Sequence, residues 1–290
     1  MDCGKAFENV LLEAMVFQLK VSEVRNYYFS IMFDGASFHL CSKIHKSLVQ
    51  KFDLLLNGIR DAELNIALKM ISFVKVLDDI ASNNRGQMLQ KFIKPKGEIP
   101  VIGGKEINRF GFRSMKGFLE KQSVIIDKGQ ITKKSVLAQN IIAHITKPFD
   151  HIKITACIPS QDNCVITDTI NQISITDDSY SQEFVWSLLN SKLINWYAYR
   201  FIFGKAIRTM HFDSPVTSRI PIPKVTTVQQ TEIAEIVDEI IEAKKRDATA
   251  DTKELERKID CLVYQLYGLT KEEIAIVEGR NAEARAIVGA

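Results

Sequence analysis

Residues 100–112, PVIGGKEINRFGF, set two glycines directly before a lysine and follow it with Arg109 and Phe110. A main chain able to turn tightly beside cations serves one of two chemistries. It cradles the phosphates of a nucleotide, or it presents charge to a larger polyanion. The next residue decides against the first. A P-loop needs Ser or Thr after Gly-Lys, so that the hydroxyl reaches magnesium, and Glu106 stands there instead. Neither a GxGxxG run nor a GxSxG nucleophile elbow occurs. The paired acids of LDDIAS and ITDDSY have no metal-binding partners at a usable spacing. Asp61, Glu63 and Lys69, nuclease-like in composition, fall within a helical run. His39, Cys41 and His45 in HLCSKIH lack a fourth zinc ligand at a suitable distance along the chain. With no catalytic constellation and no metal set, the chain is expected not to catalyse a reaction alone.

Cations need no catalysis to be useful, and their distribution is uneven. Residues 91–134 carry eleven Lys and Arg against four acids, and residues 192–224 carry six against one. Residues 228–279 reverse the sign, with thirteen acids against seven bases, inside a formal net charge of only +3. Lysine and arginine on a shaped surface neutralise phosphates and release counterions, the main source of sequence-independent DNA affinity. The first basic segment offers Lys105, Arg109, Arg113, Lys116, Lys128, Lys133 and Lys134, with Phe110 and Phe112 between them. The second, FGKAIRTMHFDSPVTSRIPIPK, offers Lys205, Arg208, His211 and Arg219, and Gly204 and Pro215 mark it as a loop.

These groups need a scaffold. A chain of 290 residues with 46% apolar content has enough for a substantial core. Five cysteines without a CxxC pair point to a reducing cytoplasm rather than a disulfide framework. The N-terminus lacks the features of a signal peptide, and no apolar run of membrane-spanning length occurs, so no membrane partner is expected. LLEAMVFQLKV and NYYFSIMF read as strands. From Ser42 the pattern reads as helical, with Ile44, Leu48, Phe52 and Leu55, and a second helix follows from Asp61. ASNNRG then reads as punctuation. Residues 87–180, with IPVIGG, SVIID, IKITACI and NCVIT, read as an irregular, mostly antiparallel sheet. Helix returns over 181–203, its terminal aromatic cluster facing the core. TEIAEIVDEIIEAKKR and DTKELERKIDCLVYQLYGL then form an amphipathic hairpin, the second helix opened by Asp251 and Glu254 and closed by Gly268. Thr270 and Glu273 cap a short last helix. The fold class expected is α+β, an irregular mostly antiparallel sheet flanked by helices and followed by a helical hairpin.

The succession DDIASNNRG, IPVIGGKEINRF, VIIDKG, LLNSKLINWYAYR, IPIPK and ELERKIDCLVYQLYGLTKEEIAIVEG resembles the C-terminal target-recognition region of Taq-type adenine-N6 DNA methyltransferases and type IIG restriction–modification enzymes. The likeness runs from about residue 60 to 279. FENVLLEAMVFQLKV is similar to the end of the methyltransferase domain that precedes this region. The resemblance implies three parts: 1–59, the end of a methyltransferase domain with a linker helix; 60–225, target recognition; and 226–290, a C-terminal helical region. The family's Gly-rich S-adenosylmethionine motif and its Asn-Pro-Pro-Tyr motif are both absent. The resemblance therefore implies a bacterial recognition half without a cofactor of its own. Its partners would be double-stranded DNA and a methyltransferase domain, in cis or in trans, that binds S-adenosylmethionine and flips the adenine. It carries Lys105, Arg109 and the 204–219 loop over as contacts in the DNA cleft. The competing expectations are a dimerisation or docking scaffold built on the hairpin, and a cryptic intact methyltransferase.

Overall fold

A computed structural model describes residues 24–33, 36–121 and 126–280 in full, positions 16, 18 and 20 singly, and the main chain of 2–5 and 13–15. Within LLEAMVFQLKV a strand is present at Glu13–Met15, paired antiparallel with Asp2–Lys5, while most of SVIID lies outside the described residues. The first complete elements are β1 (Tyr27–Phe33) and β2 (Phe38–His45), an antiparallel pair. NYYFSIMF is thus a strand as expected, but the helix expected from Ser42 begins only at α1 (Ser47–Phe52). The reason is a period of two: Ser42 and Ile44 are buried while Lys43 and His45 are exposed, which suits a pleated strand paired with Tyr28 and Ser30.

Helix α2 (Asp61–Met70) starts where the residues predict. Glu63 accepts a hydrogen bond from the Arg60 amide at 3.0 Å and pairs with Arg200 at 2.7 Å, fastening this helix to the aromatic segment that follows the sheet.

The central sheet contains β3 (Ala81–Arg85), β6 (Ser135–Gln139), β7 (Ala156–Cys157) and β9 (Ile170–Ile175), in the order β7-β6-β9-β3 with every neighbour antiparallel. A second sheet, β8-β4-β5, joins β4 (Ile99–Ile102), β5 (Gly117–Leu119) and β8 (Val165–Ile166), with β8 parallel to β4. One face of the central sheet, with Val136, Ala138 and Ile173, joins the large helical core. The other, with Leu137, Cys157 and Ile170, closes on Ile102, Ile107 and Ile166. ASNNRG is therefore not punctuation but edge strand β3. Its asparagines hid it, because Asn83 is bonded to amides rather than packed on aliphatic neighbours.

Residues 181–203 are helical but not one helix. Helix α3 (Gln182–Asn190) ends at Ser191, whose ψ of 151° breaks the chain direction. The Ser191 hydroxyl then accepts from the Ile194 amide at 3.2 Å, starting α4 (Lys192–Tyr197), and a wider π turn follows over Ala198–Ile202. Trp186, Trp196, Tyr197, Tyr199 and Phe201 are all buried, as the apolar stripe predicts.

The C-terminal helices are α5 (Thr227–Arg246), α6 (Lys253–Leu266) and α7 (Lys271–Val277). The hairpin stripe Ile233, Val237, Ile240, Ile259 and Val263 is buried in the same core as the sheet face and as Ile44 and Phe52, so one cluster joins the first helices, the central sheet and the C-terminal hairpin. Thr252, not Asp251, precedes α6. Asp251 accepts from the Lys253 amide at 3.1 Å, and Thr252 donates to Glu256 at 2.8 Å. Gly268, at φ 65°, ends α6, and Thr270 with Glu273 forms the reciprocal cap of α7. The fold is α+β, with mostly antiparallel sheets. None of the helices described is long and apolar enough to cross a membrane.

Candidate nucleic-acid interface

The turn between β8 and β9, Thr167–Asp168–Thr169, is where segments distant in sequence meet. The Gly86 amide donates to Ile170 O at 2.9 Å, and the Asp168 amide to Gln87 O at 2.9 Å. A side chain at Gly86 would overlap the Thr167 carbonyl, so this close approach of two main chains requires glycine. On another side the Gly104 amide donates to the Thr169 hydroxyl at 2.9 Å, and Gln139 donates to Gly104 O at 2.6 Å. Gln87 accepts from the Asp127 amide at 2.9 Å, and the Ile166 amide donates to Gly129 O at 2.8 Å. The Asn140 amide donates to Thr169 O at 3.0 Å. Four loops therefore converge on one turn.

Two of the cations singled out from sequence stand at this convergence. Lys105 is exposed on the helical turn Gly104–Glu106, and Lys128 is exposed between Asp127 and Gly129. Lys133 and Lys134 follow on a segment fastened to β9, where the Thr132 amide donates to Gln172 at 2.9 Å and Gln172 donates back to Gln130 O at 3.1 Å. Lys134 pairs with the open carboxylate of Asp178 at 2.6 Å, an exposed pair that contributes little stability. Three residues here were missed from sequence. Arg85 donates through Nε to Asp168 O at 2.6 Å, Gln90 donates to Asp168 Oδ1 at 2.5 Å, and Asn84 lies exposed beside them on β3. Recognition of ASNNRG as an edge strand would have revealed Asn84 and Arg85, and Gln90 follows on the next helical turn.

Other members of the sequence-derived set lie elsewhere. Arg109 turns inward: its guanidinium pairs with Glu256 at 2.7 Å and donates to Asn190 at 3.2 Å, while Trp186 Nε1 donates to Arg109 O at 2.7 Å. Both that guanidinium and the Lys244 ammonium approach the Phe110 ring, at 5.9 and 5.0 Å from its centroid. Arg113 remains exposed. Burial, reinforced by the charges of Arg109 and Arg113, holds the nearby Lys153 ammonium below the ordinary lysine range. In the second basic segment Arg219 donates to the carbonyls of Phe52, Ile202 and Phe201, and Lys205 donates to Gly58 O at 3.1 Å. Both bind the loop down to the N-terminal region. Arg208 and His211 stay exposed on that loop.

A buried amide network holds the loop against the sheet. Asn140 donates to Asn171 at 2.6 Å and to Asp213 at 2.8 Å, Asn171 donates to Asn83 at 3.0 Å, and His211 Nδ1 lies 2.8 Å from Asn140 Oδ1. Asn140 is fully buried. Asn140→Leu strands Asp213, Asn171 and His211 together, and is expected to cost about 2–4 kcal/mol. Urea unfolding measures the loss, and protease cleavage within 204–213 should accelerate more than elsewhere. Among the described residues no three His, Cys, Asp or Glu side chains are disposed to hold a metal.

No family model matches the chain, and no curated protein matches it. Matching solved structures include a chain of a type I restriction–modification system, at 12% identity and a TM-score of 0.39, covering 77% of this chain and 54% of that one. The HsdS subunit from Thermoanaerobacter tengcongensis matches at 15% identity and a TM-score of 0.37, covering 77% and 52% respectively. The type IIL restriction–modification enzyme MmeI in complex with DNA matches at 15% identity and a TM-score of 0.35, covering 55% and 22%. The chain thus spans about half the length of the first two structures and less of the third.

Proposed function

We propose that this chain is the DNA-recognition module of a restriction–modification adenine-N6 methyltransferase, with residues 60–225 reading the duplex and 226–290 bracing them. The observation that supports this reading is the convergence on Thr167–Thr169 of the segments that bear Arg85, Gln90, Lys105 and Lys128, each of them exposed. Cations beside amide side chains suit a duplex, whose phosphates ask for charge and whose base edges ask for paired donors and acceptors. The sequence resemblance supports the same reading and adds a methyltransferase domain as partner, with 1–59 as the end of such a domain. In this reading S-adenosylmethionine is held outside the recognition module. The turn at Gly103–Gly104 is occupied by Thr169 and Glu106 and leaves no cradle, so the cofactor belongs to the partner domain. Arg109 and Arg219 act in this reading as internal braces, while Lys133, Lys134, Arg113 and Arg208 supply further charge at the rim.

Fluorescence anisotropy of a mixed-sequence duplex across a salt series tests it. Binding should weaken by about 0.9 log units per log unit of salt for each phosphate neutralised, and Lys105→Ala/Lys128→Ala should flatten the slope by about two phosphates' worth. A salt-independent or absent interaction sinks the reading. A second reading, a docking scaffold, is favoured by the groove between α5 and α6, where Ile236, Cys261 and Leu262 lie among Glu232, Glu254, Arg257 and Lys258. A stable dimer indifferent to DNA would support it instead.

A further inference from the structure

We propose that Arg85, positioned by Asp168, reads a guanine through its major-groove edge. The inference rests on the DNA-recognition reading and assigns it a specific contact. Arg85 ends edge strand β3, with its side chain 48% exposed. Its Nε donates to Asp168 O at 2.6 Å, and one terminal nitrogen lies 3.9 Å from Asp168 Oδ2. One flank of the guanidinium is thereby fixed, while nearly half of the side chain is open to solvent. The same carboxylate holds the Gln90 amide at 2.5 Å, so a single acid orients both a donor fork and an amide oxygen. The main chain beneath them cannot drift, because Gly86 is interlocked with Thr167.

The guest must therefore offer two adjacent acceptors. Guanine O6 and N7 do so, and the matching bidentate contact is the commonest specific arginine contact in the major groove. A phosphate also offers two oxygens, but charge argues against it here. The Asp168 carboxylate, 3.9 Å away, offsets part of the Arg85 charge, so the pair gains less from an anion than a lone cation would while keeping its directional donors. Cations suited to phosphates stand at Lys91 and Lys128, both exposed and without an ion pair among the described residues. Met88 and Phe92, 77% and 39% exposed on the same loop, are apolar surface of the kind that meets a thymine methyl.

Selection from a random duplex library with the full chain tests the assignment, run in parallel with Arg85→Ala and Arg85→Lys, each first verified as folded by its thermal transition. The wild type should return a motif containing a guanine preferred on the order of 5- to 150-fold over other bases. Both variants should lose preference at that position alone, and the lysine variant should keep its salt slope. An unchanged motif in both variants overturns the proposal while leaving the module reading intact. Uniform weakening of all sequences in the alanine variant, with a shallower salt slope, makes Arg85 a phosphate contact and also overturns it. Failure of the wild type to bind any duplex at low salt removes the module reading itself and this contact with it.

Discussion

Arg200→Met is expected to lower the unfolding free energy by about 3–5 kcal/mol, the usual cost of leaving a buried charge without its partner. Arg200 Nε lies 2.7 Å from Glu63 Oε1, and the two side chains are only 15% and 14% exposed. The guanidinium also stands 5.1 Å from the Trp196 ring and 5.7 Å from the Tyr199 ring, so its removal strips a cation from two aromatic faces. Burial alone would raise the Glu63 pKa. The Arg200 charge and the Arg60 amide outweigh burial and hold it below the ordinary 4.5. A lowered folded pKa means that this contribution is fully present above the unfolded value and is lost as the pH falls through the folded one. Without Arg200 the balance inverts: burial raises the Glu63 pKa, and protonation relieves the penalty. Urea unfolding should therefore show a large wild-type-to-variant gap at neutral pH that narrows under acid. Arg200→Met/Glu63→Leu should recover much of the loss, since apolar replacement of a buried ion pair is often tolerated. A pH-independent gap would place the effect in packing alone.

Trp186→Ala should cost a similar amount, about 3–5 kcal/mol, for a different reason. Trp186 is fully buried in α3, and its indole nitrogen donates to Arg109 O at 2.7 Å. Truncation opens a cavity and leaves that carbonyl without its donor. Trp186→Phe separates the two effects: it restores most of the volume, and its residual loss of about 1–2 kcal/mol reports the hydrogen bond. Neither variant touches Lys105 or Lys128, so any surviving folded fraction should keep the wild-type salt slope in DNA binding. A change in that slope would show that Arg109, and not only the exposed lysines, meets phosphate.

The helices were the most legible part of the chain. Ile233, Val237 and Ile240 recur at helical spacing and bury the side they predict, and Gly268 stops α6 by the left-handed geometry expected of it. Edge strand β3 was not legible, because Asn83 and Asn84 have the composition of a loop while Asn83 is held by hydrogen bonds with Asn171 and Phe212. Ser191 was hidden for a similar reason: a serine within an aromatic helical run looks incidental until its hydroxyl caps a second helix. The cationic residues were legible as charge but not as direction. Nothing near Arg109 announces Glu256, 147 positions away, and nothing near Arg219 announces the carbonyls of Phe52 and Phe201. Lys105 and Lys128 are exposed on short turns, a fact of backbone path rather than of composition.

The way the loops are attached to Thr167–Asp168–Thr169 bears on how such a protein diversifies. Gly86, Gln87, Asp168, Ile170 and the Asn140–Thr169 pair are joined through main-chain atoms, which every amino acid except proline supplies equally. Exchanges at positions 84, 88, 91, 105 and 128 can therefore rewrite what the surface displays while the framework that presents it stays in register. Positions 86, 140 and 168 have no such freedom, because glycine's missing side chain, an asparagine amide and a carboxylate are themselves parts of that framework. Under the proposed recognition role, a lineage could explore the first set by single substitutions without refolding, and would find the second closed to it.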